Sequence, residues 1–183
     1  TDCGVYKSGD FTLAFGDNVD VTRNTVEECY NQVITDLTEA ESLLPESNDV
    51  FINKYTAAAL LARVYLQKAD YAAARDAANR VIASGDYELN NTYAECFAQD
   101  DPTDEDIFSA ENSELDNSNV MVTYFAINDF GGRADIEIEE SHLALYDDLD
   151  ARKAMFFVDG DATFTSKFNN EFGNLSIIRL AEM

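Results

Sequence analysis

The stretch from Tyr55 to Leu89 reads YTAAALLARVYLQKADYAAARDAANRVIASGDYEL. Its small and apolar residues recur at the i, i+3, i+4, i+7 spacing of a helix, in two successive runs. These are Ala58, Leu61, Ala62, Tyr65 and Leu66 in the first run, and Tyr71, Ala74, Ala78, Val81 and Ile82 in the second. The junction at 68–70 is so short that the two helices must be antiparallel neighbours, with Asp70 placed as the N-cap of the second. Gly85 is predicted as its C-cap.

This hairpin is typical of a tetratricopeptide (TPR) repeat, in which closely packed helices need small side chains opposite large ones. Leu61 and Tyr65 are predicted to face Ala74 and Ala78. Alanine also has the highest helix propensity, so the composition of the stretch agrees with its period.

A further helix is predicted before the hairpin. Asn24 or Thr25 can cap it, acidic residues follow in its first turn, and it runs to about Leu44. Its predicted buried stripe consists of Val26, Tyr30, Val33, Ile34, Leu37, Ala40 and Leu44. Three successive helices predict a fragment of an α-solenoid.

The pattern changes after Leu89, where short strands and long loops are predicted. The predicted extended segments are 104–109, 120–127, 154–157 and 164–168, with a turn at Asp159-Gly160 between the last two. A helix is predicted over 140–149 and another from about Ser176. The predicted fold class is therefore mainly α, with TPR-like helical hairpins followed by short strands and long loops in the C-terminal half.

The composition excludes several classes of partner. The 183 residues include 36 acidic and 12 basic ones, for a formal net charge of −24. Such a chain is unsuited to nucleic acid, whose phosphates are neutralised by Lys and Arg, and to an anionic lipid surface. No apolar run approaches the ~20 residues that a membrane-spanning helix needs.

Metal binding, disulfide formation and catalysis have little support in the sequence. The acidic runs at 100–106 and 147–150 lack the ligand spacing of an EF-hand, which leaves a calcium site assembled from separate loops as an alternative. Cys29 is predicted to be a small core residue, with a Cys3–Cys96 disulfide left open. His142 is predicted to be a half-buried structural residue. Because no nucleophile or phosphate-loop motif occurs, we interpret the chain as a non-enzyme without a cofactor.

Several motifs follow one another along the chain. Residues 23–45 contain RNTVEECY, ITDL and LLP, the hairpin follows, and residues 105–109 read EDIFS. Later come DLDAR at 148–152, Lys167-Phe168, and IIRLAE at 177–182. In this order they resemble the SusD/RagB family, the surface glycan-binding lipoproteins of Bacteroidetes.

The resemblance implies an outer-membrane, surface-exposed subunit that captures oligosaccharide or polysaccharide for a SusC-like TonB-dependent transporter. Because no signal stretch precedes Cys3, we do not interpret it as the lipid-bearing cysteine of such a lipoprotein, and we interpret the chain as an internal piece of a longer protein. Within a single SusD-like domain, we expect TPR-like helices at 23–89, a ligand-facing region of loops and short strands at 90–175, and the start of a further helix at 176–183.

The resemblance also implies that ligand residues lie on loops beyond the hairpin. A sugar ring has an apolar face and a rim of hydroxyls, so its site needs an aromatic surface and planar polar side chains. The candidates around the Gly131-Gly132 turn are Tyr124, Phe125, Asn128, Asp129, Phe130 and Arg133, with Asn117 and Asn119 nearby. Alternatively, one of the two adjacent aromatics is simply a core residue. The second functional hypothesis is a TPR-type protein–protein docking module with no ligand site of its own.

Overall fold

A computed structural model describes residues 23–112 and 120–183. Three helices come first along the described chain: α1 (Val26–Leu43), α2 (Lys54–Gln67) and α3 (Tyr71–Ile82). Short elements follow, and they are β1 (Asp106–Ala110), α4 (Val120–Phe125), α5 (Glu140–Leu143), β2 (Phe156–Asp159), β3 (Ala162–Thr165) and β4 (Leu175–Arg179). The mainly α, TPR-like fold class is confirmed.

The α2–α3 hairpin forms because small residues let the two helices approach closely. Leu61 is 1% exposed and packs with Ala62, Ala77 and Ala78, and Tyr65 lies against the same cluster. The Asp70 side chain accepts a hydrogen bond of 3.2 Å from the Ala73 backbone N–H, as the sequence predicts.

The ends of the two stripes differ from the prediction. Leu66, Tyr71 and Ile82 are 58%, 67% and 52% exposed, so the first stripe is exposed at its C-terminal end and the second stripe at both ends. Helix α3 ends at Ile82 with Ala83 as its C-cap, and Gly85 follows at φ +73° instead of capping the helix itself.

Helix α1 begins at a capping box formed by Thr25 and Glu28, and Arg80 on α3 holds the helix through two hydrogen bonds to Glu41. None of its side chains is buried, and Val33 is 42% exposed. The predicted buried stripe is therefore wrong in extent. Helix α1 packs mainly on α2, and of the described side chains it is Ile34 and Leu37 that contact the core cluster.

The sequence predicts the start of a helix at 176–183, and this prediction is wrong. Strand β4 pairs antiparallel with β1, and a 3₁₀ turn at Leu180–Glu182 follows it. Ile178 is 1% exposed and packs with Ile107, Val81 and the alanines of α2. A helix here would lose both the ladder to β1 and this packing, so pairing with a distant strand overrides local helix propensity.

The segment 120–127 was predicted to be extended, and it is instead helix α4 with Val122 buried. Its carbonyl groups are used by the following loop, since the backbone N–H groups of Arg133 and Asp135 donate to the carbonyls of Thr123 and Tyr124 at 2.9 and 3.1 Å. Helix α5 is also shorter than the predicted 140–149. The predicted β2–β3 hairpin is present, with Gly160 at φ +61° in its turn.

The cysteines and the histidine also differ from the prediction. Cys29 takes part in a disulfide, so it is not a free core residue. Cys96 is a free and buried thiol, which contradicts a Cys3–Cys96 bridge, and Cys3 lies outside the described residues. His142 is exposed rather than half-buried, and it shares a hydrogen bond of 3.1 Å with the Tyr146 hydroxyl.

Candidate functional site

Helix α4 and the loop after it bring an aromatic ring, a cation and a carboxylate together at the surface. The guanidinium carbon of Arg133 lies 5.2 Å from the centre of the Tyr124 ring. Arg133 Nε donates to Asp135 Oδ2 at 2.9 Å, and the same two side chains form an ion pair. We call these three residues the Tyr124 platform.

The loop is held in this position by its turn. Residues Asn128–Phe130 form a 3₁₀ turn that ends at Gly131 with φ +81°. The Gly132 N–H then donates to the Ile127 carbonyl at 3.1 Å, which returns the chain to α4. A Cβ on Gly132 would lie 2.0 Å from the Ala126 carbonyl oxygen, so this approach requires glycine.

The platform suits hydrogen bonding at its rim and apolar contact at its centre. Tyr124 is 43% exposed although Arg133 lies over its ring. The hydrogen bond to Asp135, followed by the charge of that carboxylate, raises the pKa of Arg133, so the guanidinium stays cationic. Beside the aromatic ring, the guanidinium can donate hydrogen bonds to hydroxyl oxygens, and the carboxylate can accept hydrogen bonds from hydroxyl groups.

The structure separates the other predicted residues into two groups. Asn128, Asp129 and Phe130 lie on the turn, and Phe130 is 41% exposed to solvent. Phe125 is half-buried with its ring centre 5.2 Å from that of Phe168, so it belongs to the packing beneath the loop. Asn117 and Asn119, also named from the sequence, lie outside the described residues.

Two acidic residues near the turn were missed in the sequence. Asp135 stands two positions after Arg133, and this pairing of opposite charges could have suggested it. Glu171 lies beside the turn, with its Oε2 atom 2.9 Å from where a Cβ on Gly131 would stand. It comes from a distant segment of the chain, so no local pattern could have pointed to it.

A cavity of about 540 Å³ lies elsewhere among the described residues. It opens between the α1–α2 loop and β1, and its aromatic lining residues are Phe51, Tyr87 and Phe108. Burial raises the pKa of the Tyr87 hydroxyl. Within 23–112 and 120–183, no three His, Cys, Asp or Glu side chains are grouped so that they could hold a metal ion. No described helix is long and apolar enough to cross a membrane.

Comparison with known proteins shows which family the sequence and the fold resemble. A family model described as SusD-like, starch-binding and associating with the outer membrane matches residues 3–66. The crystal structure of a SusD superfamily protein from Bacteroides vulgatus ATCC 8482 superimposes with a TM-score of 0.76 at 26% identity, covering 89% of this chain and 41% of that one. This chain is a SusD/RagB-like protein.

More distant solved structures share the SusD-like fold. Surface glycan-binding protein A from Bacteroides uniformis has a TM-score of 0.75 at 15% identity over 99% of this chain and 47% of its own. A structure solved with xylogluco-oligosaccharide has a TM-score of 0.72 at 20% identity over 93% and 47%. The SusD-like chain thus spans less than half the length of these relatives. No curated protein matches it.

Proposed function

We propose that this SusD-like chain is part of a non-catalytic, surface-exposed outer-membrane subunit that captures oligosaccharide and delivers it to a SusC-like TonB-dependent transporter. The observation that carries the proposal is the Tyr124 platform, in which an exposed ring lies beside a fixed guanidinium–carboxylate pair. The family description, starch-binding and associating with the outer membrane, supports both the ligand class and the location.

The platform has the two kinds of surface that a sugar needs. The C–H face of the sugar ring would lie on Tyr124, and Phe130 on the next turn would extend the apolar contact. Arg133 would donate to hydroxyl oxygens, and Asp135 would accept from hydroxyl protons. These contacts hold a neutral ligand in place and break no bond, which is what a capture protein requires.

Isothermal titration of the complete protein with a panel of soluble polysaccharides tests this site. We expect Tyr124→Ala to raise the Kd for the best ligand at least tenfold. Truncating a central aromatic side chain in an interface commonly costs more than about 1.4 kcal/mol of binding free energy. Tyr71→Ala is the matched control, because Tyr71 is a surface-exposed tyrosine on α3. Wild-type affinity in the Tyr124→Ala variant would rule the platform out as the site.

A docking role without a ligand site is the second candidate, and one surface favours it. Leu66 and Tyr71 are exposed where α2 and α3 meet, and they line a cavity of about 230 Å³. Its other lining residues include the apolar Ala74, Ala78 and Met183 and the charged Arg63, Arg75 and Glu182. Co-purification of a transporter that is lost in the Tyr71→Ala variant, with no glycan bound by the wild type, would support this second function. Glycan binding by the wild type would contradict it.

A further inference from the structure

A small cavity, lined in part by Phe168, has two basic side chains in its lining although the chain is strongly acidic. It measures about 140 Å³ and lies between residues 96–98 and residues 167–179. One water needs about 10–15 Å³ of such space, so the cavity has room for a small organic group. Its polar lining includes Lys167, Asn170, Asn174, Ser176 and Arg179, and the Phe97 ring forms part of its wall. We call it the Phe97 cavity.

Two cations lie on the same aromatic ring in this cavity. Lys167 Nζ is 4.8 Å from the centre of the Phe97 ring, and the guanidinium carbon of Arg179 is 5.2 Å from it. The two charges therefore lie at most about 10 Å apart. Because both side chains are half-buried, solvent ions screen their repulsion less than they would at the surface.

No described carboxylate forms an ion pair with either cation. Asp106, which stands opposite Arg179 in the β1–β4 pairing, accepts hydrogen bonds from Thr103 through its Oδ2 atom. The ion pairs within 4.0 Å among the described residues involve Lys54, Arg63, Arg75, Arg80, Arg133, Arg152 and Lys153, and neither Lys167 nor Arg179 is among them. The nearby buried Glu105 instead accepts hydrogen bonds from the Asn90 N–H at 3.0 Å and the Cys96 thiol at 3.4 Å. Lys167 and Arg179 are half-buried, and unlike the half-buried Lys54 and Arg63 they form no ion pair within 4.0 Å among the described residues, in a chain with a net charge of −24.

A polar atom in the same lining also lacks a partner. Asn174 Oδ1 is buried, and no donor lies within hydrogen-bond distance of it among the described residues. A buried acceptor without a donor is destabilising, so a ligand hydroxyl at this position would be favourable. The cavity therefore presents two positive charges for an oxyanion and one acceptor for a hydroxyl group.

We propose that the Phe97 cavity binds the acidic end of a sugar, with the carboxylate of a uronic acid between Lys167 and Arg179 and a ring hydroxyl donating to Asn174. The ring would pack against Phe97 and Phe168, which are both part of the lining. The proposal rests on the proposed function in its ligand class, and it makes acidic glycans the preferred ligands. It uses none of the residues of the Tyr124 platform.

The test is an NMR titration of the complete protein with galacturonic acid, galactose and sodium sulfate, read at the backbone amides of Lys167, Asn174 and Arg179. We expect galacturonic acid to bind at this site and galactose not to bind. Lys167→Met should raise the Kd for galacturonic acid at least tenfold, because it keeps an unbranched side chain over Phe97 but removes the charge. Lys167→Arg, which keeps the charge, should stay within threefold of the wild type.

Lys68→Met is the matched control, because Lys68 Nζ also lies over an aromatic ring, 5.9 Å from the centre of Tyr30, but far along the chain from the cavity. It should bind galacturonic acid as the wild type does. Equal binding by the Lys167→Met and Lys68→Met variants would overturn the proposal, as would equal binding of galactose and galacturonic acid. Sulfate that binds as tightly as galacturonic acid would overturn the sugar assignment, because the hydroxyl contact would then contribute nothing.

The titration and the platform test can fail independently. Loss of polysaccharide binding in the Tyr124→Ala variant concerns the proposed function alone. Binding of free galacturonic acid at the Lys167 amide concerns the Phe97 cavity alone.

Discussion

The Asp150 carboxylate accepts several hydrogen bonds from one nearby residue, Arg152. It accepts from the Arg152 backbone N–H at 3.0 Å and from Arg152 Nε at 2.9 Å. The side-chain hydrogen bond to Arg152, followed by the backbone one, lowers the pKa of Asp150 from 3.8 to about 2. The charged form is therefore favoured by the folded state.

This shift predicts a specific dependence on pH. Since the pKa of Asp150 is lower in the folded than in the unfolded chain, its contribution to stability is complete above about 3.8 and is lost as the pH falls through about 2. Replacing Arg152 by Met should raise the pKa of Asp150 toward 3.8 and flatten the stability profile in this window. NMR titration of the Asp150 carboxyl carbon measures the shift, and an unchanged pKa in the variant would contradict the assigned cause.

At the scale of elements, α4 and its loop depend on one glycine. A Cβ on Gly132 would lie 2.0 Å from the Ala126 carbonyl oxygen and 2.7 Å from the Val122 carbonyl oxygen, both backbone atoms that cannot rotate away. We expect Gly132→Ala to lower the free energy of unfolding by about 3 kcal/mol or more, measured by urea denaturation.

Gly160 is the control for the effect of adding a methyl group. It has φ +61° in the β2–β3 turn, and no atom lies within 4 Å of the position that a Cβ would take there. Gly160→Ala should therefore cost only the ~1–2 kcal/mol of a left-handed backbone. If the two variants were equally stable, the close approach of the loop to α4 would be refuted.

Across the whole molecule, the C-terminal strand and the helical hairpin share one core. Ile178 on β4 is 1% exposed between α2, α3 and β1, whereas its neighbour Ile177 is 41% exposed. Ile178→Ala should lower the free energy of unfolding by about 2–5 kcal/mol, and Ile177→Ala by less than about 1 kcal/mol. Thermal or urea denaturation of both variants measures the difference, and similar decreases would contradict the burial of Ile178 in the shared core.

The same core supports our proposal that the chain belongs to one domain. If so, the helices of 23–89 and the strands after them should unfold in a single transition. The far-ultraviolet circular dichroism of the helices and the tyrosine fluorescence should then change at the same urea concentration. Two separate transitions would instead assign the hairpin and the β1–β4 pair to different folding units.

The candidate site could be predicted only in part. The Gly131-Gly132 pair and its neighbouring aromatic and polar residues located the loop, and Tyr124 and Arg133 do lie together. The sequence could not separate Tyr124 from Phe125, because the burial of Phe125 depends on Phe168, which lies far along the chain. Glu171 beside the turn was missed for the same reason.

The sequence by itself determined the α2–α3 hairpin, because helical spacing, alanine content and the Asp70 cap all act within a few residues. Only the tertiary structure decided that 120–125 is helical and that 175–179 is a strand. Local propensities there differ by less than about 1 kcal/mol per residue, so contacts between distant segments outweigh them. The same holds for the Phe97 cavity, whose ring and two cations come from three separate segments and meet only in the folded chain.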